Sequence, residues 1–137
     1  MERIRQKIAR IREHLALIRS IRDGCRERFT ADPIYRGALL HYLYLLADGC
    51  IVLAELIIKE KGWRSPQSYA EAIDILAENR ILSGEFAYRF AGIAGFRNFL
   101  AHDYEKVDGE VVCGPILDKV SEVEEFLRQV EAGLQLR

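Results

Sequence analysis

Apolar positions recur at helical spacing along nearly all of this 137-residue chain. Over residues 2–28 they fall at Ile4, Ile8, Ile11, Leu15, Ile18, Ile21 or Arg22, and Cys25, a stripe down one face of a first helix. Asp32-Pro33 is a good N-cap and first-turn pair and Gly62 a good stop, which predicts a second helix over 33–61. That helix is apolar almost all round and therefore central. Ser68-x-x-Glu71 is a capping box opening a short third helix over 69–79, with Ile73, Leu76 and Ala77 inward. Ser83 caps a fourth over 84–103, with Phe86, Phe90, Ile93 and Leu100 inward; Gly92 and Gly95 should thin it and let another backbone approach. Asp108-Gly109 has the chemistry of a hairpin turn, but so few residues flank it that a plain loop is expected. After Gly114-Pro115, the positions Ile116, Leu117, Val120, Val123, Leu127, Val130 and Leu134 predict a fifth helix over 116–134. With no internal repeat, the expectation is an all-α, five-helix, up-and-down bundle.

The length suits one domain spanning 1–137. Cys25, Cys50 and Cys113 are odd in number and far apart, so neither a disulfide framework nor a zinc knuckle is expected; buried small hydrophobes in a reducing cytoplasm fit best. The N-terminus is charged throughout and lacks the apolar core of a signal peptide. Residues 38–58 would be apolar enough to span a membrane but for His41, Asp48 and Glu55, which point instead to a buried helix and no membrane role. The net charge of −1 is unevenly spread. Residues 1–28 hold nine Lys and Arg against four Asp and Glu, and residues 103–137 hold four against nine. The first helix thus offers a basic surface that could meet phosphate or an acidic partner, or simply be a solvated face.

Chemistry concentrates in "GFRNFLAH", residues 95–102, followed by Asp103 and Tyr104. Asn98 and His102 lie about 40° apart on a helical wheel, and Arg97 about 140° from His102, a gap a long guanidinium can bridge. Such a set suits phosphodiester cleavage without a metal. The imidazole moves a proton near neutrality, the arginine binds phosphoryl oxygens as charge builds, and the asparagine orients either. The same residues also make an ordinary helix end, with His102 on a terminal carbonyl and Arg97 paired to Asp48 or Asp103. Spacing alone leaves both readings open.

"GFRNFLAHDY" resembles the R-x4-H-x-Y signature of the HEPN superfamily, specifically its HepT-like toxins. The helix order, "ADP" opening the second helix, "KEKGW" closing it and "SYAEAIDILAENRIL" before the motif extend the likeness over essentially the whole chain. The resemblance implies a metal-independent RNA endonuclease, homodimeric, with the two motifs meeting in one cleft. It would be the toxin of a type VII-like toxin–antitoxin pair and need no cofactor. Carried over, Arg97 and His102 are the catalytic pair and Asn98 their polar support. Tyr104 matches the tyrosine to which a cognate minimal nucleotidyltransferase antitoxin transfers AMP, an anionic adduct that would block the RNA phosphate.

His41, Asp48 and Glu55 recur every seven residues on one face of the second helix. Asp48 is expected to face the fourth helix and hold Arg97 or His102, as the acidic residue of HepT-like chains would, whereas His41 and Glu55 are expected at solvent or a dimer seam. Val52 stands where relatives carry a second acidic residue. Tyr35, Tyr42, Tyr44, Trp63 and Tyr69 are assigned to packing. Two further functions stay open: a non-catalytic HEPN subunit binding nucleotide or substrate for a nucleotidyltransferase, and a purely structural helical dimer.

Overall fold

The computed structural model describes residues 1–136; Arg137 and the Tyr104 side chain lie outside the described residues. The elements are helical, with no strand among the described residues: α1 Glu2–Ile21, α2 Cys25–Ala31, α3 Pro33–Lys61, α4 Tyr69–Glu78, α5 Gly84–Phe90, α6 Ile93–Asp103, a 3₁₀ turn Tyr104–Lys106, α7 Gly109–Val111, a wide π turn Val112–Ile116, α8 Leu117–Lys119 and α9 Ser121–Gly133.

Helix ends follow their side-chain chemistry. Asp32 Oδ1 accepts the amides of Ile34 and Tyr35, each at 3.1 Å, so α3 starts at Pro33. It stops at Gly62, whose φ of 69° suits a residue without a Cβ. Ser68 Oγ accepts the Glu71 amide at 3.1 Å, the predicted cap, while the Glu71 carboxylate reaches back to the Gln67 amide at 2.7 Å, one residue before the cap.

Four boundaries depart from expectation. The first helix breaks after Ile21, because Gly24 takes φ of 80° and the chain restarts as α2. The fourth breaks at Ala91-Gly92, where the Ala94 amide reaches back only three residues to Ala91. The segment expected as loop is helical from Gly109, with the Asp108 side chain capping the Glu110 amide at 2.9 Å. Pro115 sits inside the wide turn rather than before a new helix. A wide turn accommodates a residue with no amide to donate.

Helix α3 is the hub. It is long and apolar enough to cross a membrane by composition, yet thirteen of its residues are buried against the other helices. The predicted α1 stripe Ile4, Ile8, Ile11, Leu15 and Ile18 packs onto it, all buried. The close approach is not at Gly92 or Gly95 but at Gly49, where the neighbour is a side chain of α1, and at Gly133, where a Cβ would lie 3.1 Å from the Ile81 Cα. A Cβ on Gly49 would lie 3.1 Å from Ile11 Cγ1, whereas Gly95 has open space. The cysteines also depart from expectation, since Cys25 and Cys113 form a disulfide with Cα atoms 5.6 Å apart. Their 88-residue separation hides the pairing in sequence; folding lays the π turn on the start of α2. Cys50 remains a buried thiol, its pKa pushed up by burial.

The uneven charge resolves into ion pairs that join the chain's two ends. Arg12 meets Glu131 at 2.5 Å, Arg19 meets Glu124 at 2.7 Å, Arg22 meets Asp118, and Arg26 meets Glu110 at 3.3 Å. Much of the basic face of the N-terminal helices is therefore spent on the acidic C-terminal segment.

Candidate active site

Helix α6 crosses α3 and carries the quoted stretch in its final turns. Leu100 and Ala94 anchor its inner face in the core, which fixes the direction of every other side chain on it. Arg97, on the flank of that face, turns its guanidinium onto α3, while Asn98 and His102 are exposed.

Asp48 on α3 receives the Arg97 Nε hydrogen at 3.1 Å, in a half-buried ion pair. Arg97 Nη1 donates to Asn98 Oδ1 at 3.2 Å and Nη2 to Tyr44 Oη at 3.1 Å. The guanidinium carbon lies 5.3 Å from the Tyr44 ring centre and 5.0 Å from that of Tyr69, at the start of α4. Partial burial pulls the arginine pKa down, but the Asp48 hydrogen bond and the two tyrosines outweigh it and the cation is held. A guanidinium has about five N–H donors. One on each terminal nitrogen is left without a partner among the described residues, a fork that suits two oxygens of a phosphoryl group.

His102 occupies the last turn of α6 and is exposed. It makes no hydrogen bond or ion pair with another described residue. The structure therefore joins Arg97, Asn98 and Asp48, and leaves the exposed His102 on the last turn of the same helix without a partner among the described residues. Tyr104, the expected modification residue, begins the 3₁₀ turn immediately after α6, and its side chain is outside the described residues.

Sequence reasoning missed three participants. Tyr44 is half-buried against the core, as expected of a packing residue, and Tyr69 is half-buried at the start of α4, but both also face Arg97. The signal for Tyr44 was its position one turn before Asp48 on α3; nothing local marks Tyr69. Glu55 is half-buried, and its carboxyl is raised above the ordinary value by burial first and by repulsion from Asp48, with Arg97 partly offsetting both. His41 is exposed, as expected. Among the described residues no group of three or more His, Cys, Asp or Glu stands together as a metal site.

Residues 11–130 match the family model described as "Ribonuclease HepT-like". The chain belongs to the ribonuclease HepT-like family. The protein named mRNA nuclease HepT from Shewanella oneidensis is 23% identical over 126 residues, spanning 92% of this chain and 94% of its own length. Among solved structures, a tri-AMPylated Shewanella oneidensis HEPN toxin in complex with its MNT antitoxin superposes with a TM-score of 0.82 at 24% identity, over 94% of this chain and 96% of that one. YutE of Bacillus subtilis, described as a cytosolic protein of unknown function, gives a TM-score of 0.82 at 19% identity, over 98% and 90% of the two chains. These structural likenesses establish the HEPN fold for this HepT-like chain.

Proposed function

We propose that this chain is a metal-independent RNA endonuclease toxin that acts as a homodimer through its R-x4-H motif, in the cytoplasm, as one HEPN-like domain over 1–137. The observation that carries the reading is the Arg97 fork, fixed on α3 by Asp48, at the end of a helix whose exposed His102 faces solvent in a HepT-like chain. In the reaction, the ribose 2′-hydroxyl attacks phosphorus, one imidazole takes its proton, and the P–O5′ bond breaks as an imidazolium protonates the leaving oxygen. Arg97 stabilises the charge gathering on the phosphoryl oxygens. Two motifs in one cleft supply an imidazole for each proton transfer.

The antitoxin is a minimal nucleotidyltransferase. It transfers AMP from ATP to Tyr104, whose phenolic oxygen attacks the α-phosphorus and releases pyrophosphate. The tri-AMPylated Shewanella toxin bound to an MNT protein supports this assignment.

The decisive experiment is RNA cleavage in EDTA by the wild type, His102→Ala and Arg97→Ala. Each substitution should lower kcat by roughly 10²- to 10⁴-fold in folded protein. A dimer should be seen by sedimentation, and one or more AMP masses on Tyr104 after incubation with antitoxin and ATP. A wild type that cleaves nothing at high concentration would instead make the chain a nucleotide- or substrate-binding subunit.

A further inference from the structure

We propose that Tyr44 and Tyr69 are positioning residues that clamp the Arg97 guanidinium between them and set the plane in which it meets the scissile phosphate. The inference rests on the ribonuclease reading for its kinetic consequence, but the clamp itself is a feature of the free protein.

An arginine side chain has many rotamers, and one half-exposed ion pair does not hold it still. Asp48 fixes only the Nε edge. Rotation about the remaining bonds is stopped by groups from two other places. Tyr44, one turn before Asp48 on α3, accepts from Nη2 at 3.1 Å and sets its ring 5.3 Å from the guanidinium carbon. Tyr69 brings its ring to 5.0 Å from α4. Both distances lie inside the range of about 6 Å over which a cation is drawn to an aromatic face. The three helices α3, α4 and α6 thus converge on one side chain.

Tyr69 owes its place to the capping box. It is the first residue of α4, directly after Ser68, whose hydroxyl caps the helix, and Arg64 ties Glu71 to the preceding loop at 3.1 Å. A helix start held at both ends of its first turn is a firm base for a ring that must not swing. The consequence is geometric. With Nε on Asp48, Nη1 on Asn98 and Nη2 on Tyr44, the plane of the guanidinium is set by three partners, and one N–H on each terminal nitrogen remains for a phosphoryl oxygen. The tyrosines act on the reaction through the arginine and do not need to touch RNA.

The test has two arms on Tyr69→Ala, Tyr69→Phe and Tyr44→Phe, each first shown folded by circular dichroism. In nitrogen-15 spectra of the wild type, the Arg97 Nε–H resonance should exchange slowly and be shifted by the rings. Tyr69→Ala should abolish that shift and Tyr69→Phe should restore it. In RNA cleavage, Tyr69→Ala should lower kcat roughly 10- to 100-fold with KM within about twofold, Tyr69→Phe should recover most of it, and Tyr44→Phe should fall between. An unchanged Nε–H resonance in folded Tyr69→Ala overturns the clamp, as does a rise in KM alone, which would mean that the tyrosines bind RNA directly. If the wild type cleaves no RNA, the ribonuclease reading fails and the resonance arm still decides the clamp.

Discussion

Arg97 is held where a cation is useful and still partly wet, with its side chain 18% exposed and that of its Asp48 partner 32%. An ion pair in that setting contributes little to stability, because what Coulomb attraction gains is largely offset by desolvation and side-chain ordering. Its value is directional, so Asp48→Asn should cost activity more than stability. We expect kcat in RNA cleavage to fall about tenfold while the urea midpoint moves only slightly. A large midpoint shift with unchanged kcat would make Asp48 a structural residue. Glu55 has the opposite balance. Its folded-state pKa is raised, so the native protein holds the proton more tightly than the unfolded chain does, and stability falls as pH rises from the ordinary glutamate value, about 4.3, through the folded value. Glu55→Gln removes that loss. Its melting temperature should exceed the wild type's at neutral pH, and the gap should close toward pH 4. A constant gap across that range would show that Glu55 does not titrate differently on folding.

At the scale of elements, what the sequence reveals depends on whether a signal is local. The ends of α3 were readable because Asp32, Pro33 and Gly62 each act on their own backbone. The partner of Arg97 was readable as a choice between Asp48 and Asp103, since α3 and α6 are long and their inner faces are marked. The breaks at Gly24 and Ala91-Gly92 were not, because a helix with a glycine either continues or turns according to what its far side packs against. The segment from Gly109 to Pro115 was misread for the same reason. Gly114-Pro115 looks like a stop, but the chain needs to lie against α2, and it does so in a wide turn. Gly109 is where that docking is tightest, because a Cβ there would lie 2.7 Å from Phe29 Cδ1. Phe29 is buried and cannot swing away freely. Gly109→Ala should therefore destabilise by roughly 1–3 kcal/mol in urea, and adding Phe29→Leu should recover part of the loss. Equal midpoints for Gly109→Ala and wild type would mean that α7 does not rest on α2 in solution.

Over the whole molecule, the two ends of the chain close on each other. Arginines of α1 reach the acidic C-terminal helices, and Cys25 is bonded to Cys113. The ion pairs are exposed and screened by salt, so the bond is the stronger tie. Cross-linking residues 88 apart removes chain entropy from the unfolded state worth about 4–5 kcal/mol in the simplest model. That is a large share of a small protein's net stability, yet in a reducing cytoplasm the bond would be open. The fold must then stand on its apolar core alone. Both sulfur-bearing residues are buried, Cys25 4% and Cys113 5% exposed, so as thiols they still pack as small hydrophobes. The protein should therefore remain helical in reductant while its urea midpoint falls, and Cys25→Ser with Cys113→Ser should lose all dependence on reductant. Because burial shields the bond, reduction should need local opening and proceed slowly without denaturant. A midpoint identical with and without reductant, in protein whose mass shows two free hydrogens on those cysteines throughout, would mean that the pair is packed but not bonded in solution.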